Sequence, residues 1–160
     1  MADMICPLFD IPSCGELLQR LHDEGIHIRH AQSWERTALY EFIEQHFSRR
    51  WADEVSLGFH HQPISIIVAV SGEEIIGFAA YEVTAPAYFG PTGVNEAYRG
   101  HGIGKALLLE ALAGLRNLGY VYGIIGSPGP IDFYRKFTNG IMLPEEWTTI
   151  YSNTLSLTTR

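Results

Sequence analysis

The sequence predicts a single mixed α/β domain in which helices flank a central sheet. Three observations carry this prediction. Strand-like alternation and helix-like spacing of apolar residues follow one another along the chain. The chain has 160 residues, 46% hydrophobic and 18% charged, which suits one globular domain with a buried core. A glycine-rich run at residues 99–105 joins a strand-like segment to a helix-like one.

Local signals justify the elements in chain order. A short helix over residues 12–24 begins at Pro12 and Ser13 and ends at Gly25. Residues 26–30 alternate apolar and polar side chains, which predicts a strand, and Ser33 can cap the helix that follows. The remaining predicted elements are a mixed helical segment at 51–59, strands at 64–70, 75–83, 88–94 and 120–125, helices at 103–118 and 131–137, and two strands within the tail, residues 141–157.

The strand at residues 88–94 contains Gly90 and Pro91. Proline cannot donate to a strand ladder, so it marks an edge strand or a bulge. This strand is apolar and leads into a helix, so we expect it to be central and therefore bulged. A bulge would leave backbone groups free, and this strand and the next could splay apart around an extended ligand.

The run Arg99-Gly100-His101-Gly102-Ile103-Gly104-Lys105 places three glycines at the start of a helix. The first backbone N–H groups of a helix have no internal partner, and the helix dipole favours an anion beside them. The run therefore predicts a site for a phosphate-bearing ligand. The alternative is a glycine-rich turn that only connects the strand to the helix.

The spacing of the glycines excludes two common phosphate motifs. A Walker A loop would need glycine where this chain has Arg99 and a hydroxyl where it has Ala106. The dinucleotide fingerprint Gly-x-Gly-x-x-Gly fails because its third glycine falls on Lys105 or Leu107. The pattern that remains is Arg-x-x-Gly-x-Gly.

Charge and composition narrow the partners. The net charge of −7 argues against nucleic acid. Residues 99–136 nevertheless carry five basic and two acidic side chains, and a basic region in an acidic protein suits a small polyanion. No apolar stretch is long enough for a membrane span, and no secretory signal or cysteine framework is evident, so we expect a cytoplasmic protein without a membrane partner.

Several segments together resemble the GCN5-related N-acetyltransferase (GNAT) superfamily over residues 26–151. They are Gly77-Phe78-Ala79-Ala80-Tyr81, then Val94 with the run from Tyr98 to Leu108, and finally Phe133-Tyr134-Arg135-Lys136. The resemblance implies a GNAT-like acyl-CoA N-acyltransferase fold, with a mixed, largely antiparallel sheet splayed between its fourth and fifth strands. Residues 1–160 would form one domain, with 26–151 as its core and 1–25 as an N-terminal extension that packs on the domain or forms a dimer contact.

The resemblance also implies the roles of the site residues. The cosubstrate would be acetyl-CoA, and no metal would be needed. The thioester sulfur would face Tyr134. Backbone groups of Gly93, Val94 and Asn95 would pair with the pantetheine arm. The pyrophosphate would be bound by the loop residues Arg99, Gly100, His101, Gly102, Ile103, Gly104 and Lys105.

The chemistry of acetyl transfer to an amine requires two proton movements. A protonated tyrosine, pKa about 10, can supply a proton to the departing thiolate, so Tyr134 is the candidate general acid; the alternative is a core aromatic. A protonated amine must lose a proton before it attacks, and Glu82 is the first candidate base. Glu54 and the pair His60-His61 are further candidates, and each is otherwise an ordinary solvated side chain.

These observations predict an N-acetyltransferase that moves an acetyl group from acetyl-CoA directly to a primary amine of a small molecule or peptide. A non-catalytic acyl-CoA-binding or regulatory module of the same fold is the alternative. A third hypothesis is a nucleotide-phosphate protein unrelated to acetylation. A homodimer is expected by analogy with similar proteins.

Overall fold

A computed structural model describes residues 1–152, 154 and 155. From residue 26 to residue 138, its strands and helices follow one another in the predicted order. The strands are β1 (Met4–Pro7), β2 (Ile26–His30), β3 (Ile66–Ser71), β4 (Glu74–Tyr81), β5 (Tyr88–Val94), β6 (Tyr122–Ile125) and β7 (Ile141–Met142). The helices are α1 (Gly15–Asp23), α2 (Arg36–His46), α3 (Arg49–Ser56), α4 (Ile103–Asn117) and α5 (Ile131–Thr138).

The described strands form one seven-stranded mixed sheet in the order β2-β3-β4-β5-β6-β1-β7. All neighbouring pairs are antiparallel except β5 and β6, which run parallel. This confirms the mixed α/β, largely antiparallel architecture. The fourth and fifth strands of the predicted core are β5 and β6 here, because β1 precedes them.

Strand β1 is the main difference from the expected elements. No strand was predicted before residue 26, yet β1 lies between β6 and β7 inside the sheet. Its side chains alternate in burial, and Met4 and Cys6 are fully buried. The extension at residues 1–25 thus contributes a strand to the sheet as well as helix α1.

The ends of other elements also differ from the expected ones. Helix α1 begins at Gly15 with Cys14 as its N-cap, three residues after the predicted start at Pro12. In the tail, the described residues form the two-residue strand β7 and turns after it, where two strands were expected. The tail prediction extends to residue 157, and residues 153, 156 and 157 lie outside the described part.

Two apolar clusters pack on opposite faces of the sheet. Helix α4 carries eight buried residues, including Leu107 and Leu112, and belongs to one cluster with β1 and part of α1. The second cluster joins α2 and α3 to the other face through Leu39, Ile43 and Phe78. The sheet is therefore covered by helices on both faces where β3, β4 and β5 lie, and β5 is held firmly along its β4 side.

Within the described residues, no helix is both long and apolar enough to cross a membrane.

Candidate active site

The site begins with an irregularity in β5. Ala79 of β4 pairs with Thr92, and Tyr81 pairs with Phe89, so β5 has two residues where β4 has one. The extra residue falls at Gly90-Pro91, which confirms the predicted bulge. On its other side, β5 pairs with β6 at Tyr88 and Phe89. Beyond that point the two parallel strands diverge, and within the described part of the chain the rest of β5 has no strand partner on that side.

The register of β5 determines which backbone groups face the gap. The N–H of Asn95 donates to the carbonyl of Ile76 in the β4 ladder, 2.8 Å away. Because backbone groups alternate in direction along a strand, those of Val94 and Thr92 point away from β4. The carbonyl of Val94 indeed accepts a hydrogen bond at 3.2 Å from the Arg99 side chain on that side. Thr92 and Val94 therefore present free N–H groups to the gap.

A cavity of about 720 Å³ fills this gap, and we call it the strand cavity. One wall is β5 from Phe89 to Val94. The opposite wall is the segment after β6, residues 125–130, with Tyr134 from α5. Phe47 and Trp51, whose rings stack with centroids 5.7 Å apart, close a third side. The wall is mostly apolar, and its polar groups include the backbone of β5 and the side chains of Arg99, Ser127 and Tyr134.

A second cavity, of about 510 Å³, lies at the glycine-rich run, and we call it the loop cavity. Gly100 and Gly102 both have φ of +87°, a left-handed conformation that glycine adopts without strain. Gly102 is the N-cap of α4, so the first N–H groups of that helix open onto the cavity. Lys105 and Lys136 also line it, which makes it electropositive.

The two cavities meet. Val94, Arg99 and Phe133 line both of them, so the N-terminus of α4 and the gap beside β5 belong to one groove. An extended ligand with an anionic end fits this shape, since the anion would lie at the loop cavity and the neutral arm along β5.

Tyr134 lies in the strand cavity, 7% exposed. Its ring makes edge-to-face contacts with Phe89 and Phe133, with centroids 6.0 and 5.3 Å apart. Burial raises the pKa of Tyr134 to about 12, so the hydroxyl keeps its proton at neutral pH. A buried protonated hydroxyl beside a strand-like groove can donate to an atom of a ligand that lies there.

Glu82 holds a turn. It has a left-handed φ of 63° directly after β4, and its Oε1 accepts hydrogen bonds from the Tyr120 hydroxyl at 2.6 Å and the Ala87 N–H at 3.1 Å. Glu82 does not line either cavity among the described residues. The structure thus places this predicted base in the β4–β5 connection.

Two further carboxylates, Asp3 and Glu54, lie towards the end of the strand cavity that Gly126 and Ser127 line. Asp3 is 6% exposed, and its two oxygens accept from the Tyr88 hydroxyl at 3.0 Å and the Ser127 N–H at 2.9 Å. Glu54 of α3 accepts a hydrogen bond from Thr84.

Tyr151, in the C-terminal tail, lies near Asp3 and Glu54. Burial raises its pKa to about 12, with further contributions from the charges of Glu54 and Asp3. Its hydroxyl lies so close to Gly126, which lines the strand cavity, that a β-carbon there would be 2.3 Å from it. The tail therefore reaches the end of the groove.

The other predicted candidate bases, His60 and His61, lie at the end of a 3₁₀ turn after α3.

Not every predicted cosubstrate residue faces the groove. The N–H of Asn95 belongs to the β4 ladder and its side chain caps the turn at Ala97. The carbonyl of His101 accepts a hydrogen bond at 2.8 Å from Arg20 of α1. Gly93 lines the strand cavity, and its missing side chain makes room for the Phe47 ring, since a β-carbon would lie 2.4 Å from Phe47 Cζ.

Several residues of the site were not predicted, and four of them contact the groove or the loop beside it. Thr92 faces the groove through its backbone, Phe47 and Trp51 wall it, and Arg20 contacts the loop. Only the Phe47 and Trp51 spacing of four residues was visible beforehand, and it is equally typical of a packed helix face. The others depend on strand register and on contacts between distant segments.

Comparison with known proteins places this fold. No curated protein matches the chain. Among solved structures, 89% of the chain matches a GCN5-related N-acetyltransferase from Sphaerobacter thermophilus, with a TM-score of 0.68 and 24% identity over 48% of that protein. The same share matches a fungal multi-domain β-N-acetylglucosaminidase containing a GCN5-related glucosamine N-acetyltransferase region, with a TM-score of 0.70 and 19% identity over 19% of that protein.

A GNAT family acetyltransferase from Brucella melitensis, solved in complex with acetyl-CoA, matches 78% of the chain with a TM-score of 0.56 and 22% identity over 90% of that protein. The chain thus spans about half, or less, of the length of the first two neighbours. The model of the Acetyltransferase (GNAT) family matches residues 27–138, more than half of the chain. The chain belongs to the GNAT family of acetyltransferases.

Proposed function

We propose that this protein is an N-acetyltransferase that transfers the acetyl group of acetyl-CoA directly to a primary amine of a small molecule or peptide. The observation that carries the proposal is the continuous groove from the N-terminus of α4 to Tyr134, with free backbone N–H groups of β5 along its wall. The Brucella neighbour, a protein of the same fold, was solved with acetyl-CoA bound.

The dimensions and chemistry of the groove suit this cosubstrate. In the proposed complex, the pyrophosphate lies against the first N–H groups of α4 and the loop before it, with Arg99 beside them. The pantetheine arm pairs with β5 at Val94 and Thr92, as an added strand would. The thioester then lies in the strand cavity near the bulge and Tyr134.

Tyr134 would act as the general acid. The amine nitrogen forms its bond to the thioester carbonyl carbon, and the carbon–sulfur bond breaks. The departing thiolate takes the proton of the Tyr134 hydroxyl, while the nitrogen releases one proton to solvent as the neutral amide forms. Because burial raises the pKa of Tyr134 to about 12, the hydroxyl carries its proton over the whole physiological range. The tyrosinate regains a proton from solvent after each turnover.

The acceptor would enter at the end of the groove where Asp3, Glu54, Tyr88 and Tyr151 lie. Two carboxylates there favour a cationic amine and can take up the proton that the ammonium loses. Glu54, one of the candidate bases, lies beside Tyr151, which contacts the groove at Gly126. Glu82 remains a candidate only through a water or a rearranged turn. A homodimer and a cytoplasmic location remain predictions.

A thiol-release assay tests the proposal. Purified protein with acetyl-CoA is tested on polyamines, aminoglycosides, amino sugars and peptides; the fungal neighbour's glucosamine N-acetyltransferase region makes amino sugars an early choice. We expect amine-dependent release of coenzyme A, and a kcat for Tyr134→Phe that is lower by about 100-fold, with the Kd for coenzyme A nearly unchanged. Tyr122→Phe, at a tyrosine that is 56% exposed, is the control and should retain activity.

The outcomes separate the competing functions. Tight binding of acetyl-CoA without turnover on any amine would favour a non-catalytic acyl-CoA-binding module. Stabilisation by ATP but not by coenzyme A would favour the nucleotide-phosphate hypothesis and contradict the proposal.

A further inference from the structure

Two ammonium groups converge on one aromatic ring at the loop cavity. Nζ of Lys105, from the first turn of α4, lies 4.6 Å from the ring centroid of Phe137. Nζ of Lys136, from α5, lies 5.3 Å from the same centroid. All three side chains line the loop cavity. Two separate helices thus bring like charges together at one place.

Among residues 1–152, 154 and 155, no carboxylate forms a salt bridge with either lysine. The salt bridges found among the described residues are Arg20 with Glu24 and Arg29 with Glu35, so neither lysine takes part in one. Glu110, the acid closest to Lys105 along α4, accepts a hydrogen bond from the Cys14 thiol instead. Lys105 is half-buried and Lys136 is exposed. Their like charges repel each other, and a cation–π contact offsets only part of this cost. An anion bound in the loop cavity would therefore stabilise the arrangement.

The chemistry of that anion follows from the donors. Lysine ammonium groups act as point charges that suit a phosphate monoester, which carries up to two negative charges. They are distinct from the backbone N–H groups of Gly100 to Lys105 that would bind a pyrophosphate. One ligand with a pyrophosphate and a separate monoester phosphate can use both sets of donors, and coenzyme A carries such a phosphate on its ribose.

We propose that Lys105 and Lys136, gathered over Phe137, form a subsite for the ribose 3′-phosphate of coenzyme A and make the protein selective for the fully phosphorylated coenzyme. This inference rests on the proposed function and adds a cosubstrate preference to it. Lys136 contributes by charge alone and has no part in the acetyl transfer step.

Calorimetric titration of the full chain with coenzyme A and with 3′-dephospho-coenzyme A tests the subsite. We expect wild type to bind coenzyme A about 10-fold more tightly than the dephospho form. In Lys136→Gln the preference should fall to about 2-fold, through weaker binding of coenzyme A alone. Arg135→Gln is the matched control, because it removes the same charge from an adjacent exposed position that does not line the cavity.

Each other outcome is decisive. Equal affinity of wild type for the two ligands would overturn the subsite while leaving the proposed function intact. So would an equal loss of preference in Arg135→Gln and Lys136→Gln, since that would indicate a general electrostatic effect. Failure of both ligands to bind would overturn the proposed function and the subsite with it.

Discussion

Gly104 lines the loop cavity, at a helix position where glycine is less stable than alanine. It lies in the first turn of α4, where glycine costs about 1 kcal/mol relative to alanine. A β-carbon there would lie 3.9 Å from both Phe133 Cζ and Val94 Cγ2, in ordinary contact with residues that line both cavities. The space beside Gly104 therefore belongs to the junction of the groove.

We expect Gly104→Ala to be more stable and to bind more weakly. The free energy of unfolding should rise by up to about 1 kcal/mol, while the added methyl group narrows the groove and raises the Kd for acetyl-CoA about 10-fold. Urea denaturation and calorimetric titration measure the two effects. An unchanged Kd would show that the ligand does not pass this residue.

At the scale of elements, β1 connects the two sides of the gap. Asp3, just before β1, accepts hydrogen bonds from Tyr88 at the start of β5 and from Ser127 after β6. Its carbonyl also accepts from the N–H of Leu143 after β7. One buried carboxylate thus ties together the strands that diverge around the strand cavity.

We expect Asp3→Ala to lower the free energy of unfolding by about 1–3 kcal/mol, because it leaves the Ser127 N–H and the Tyr88 hydroxyl without their partner. Since Ser127 lines the strand cavity, the KM for acetyl-CoA should rise in the same variant. Asp10→Ala, at an exposed position of the same segment, is the control. If the two variants behave alike in denaturation and in KM, Asp3 does not position the gap.

The elements that local signals specify could be predicted from the sequence. Glycines with positive φ, a proline at a bulge and apolar helical spacing mark α4 and β5, and β5 begins and ends where expected. Strand β1 could not be predicted, because its four residues become a strand only through partners such as Gly123, 117 positions away from Cys6. The direction of the Thr92 and Val94 backbone N–H groups depends on the register of β5 with β4. The hydrogen bond that Glu82 accepts comes from Tyr120, 38 positions away in the sequence.

At the scale of the whole molecule, buried acids that ionise at high pH should set the alkaline limit of stability. Burial raises the pKa of Tyr134 from 10.0 to about 12 and that of Cys6 from 9.0 to about 11. The pKa values of Tyr88 and Cys14 are each raised to about 12. The folded chain holds these protons more tightly than the unfolded chain does.

The contribution is therefore fully present below about pH 9, and it is lost as the pH rises towards about 12, where the folded groups ionise. We expect the free energy of unfolding, measured in urea, to fall steadily from pH 9 to 11.5. The fall should be less steep in Tyr134→Phe, which has one fewer ionising group. A stability that stays level up to pH 11 would contradict the burial of these groups.

The groove itself is tested most directly by amide hydrogen exchange with and without saturating acetyl-CoA, read by mass spectrometry of peptides. The N–H groups of Thr92 and Val94 and those at the start of α4 should become protected, while the edge strand β2, residues 26–30, should exchange as before. Protection confined to other segments, or no change at saturating acetyl-CoA, would contradict the proposal that the coenzyme lies between the diverging strands.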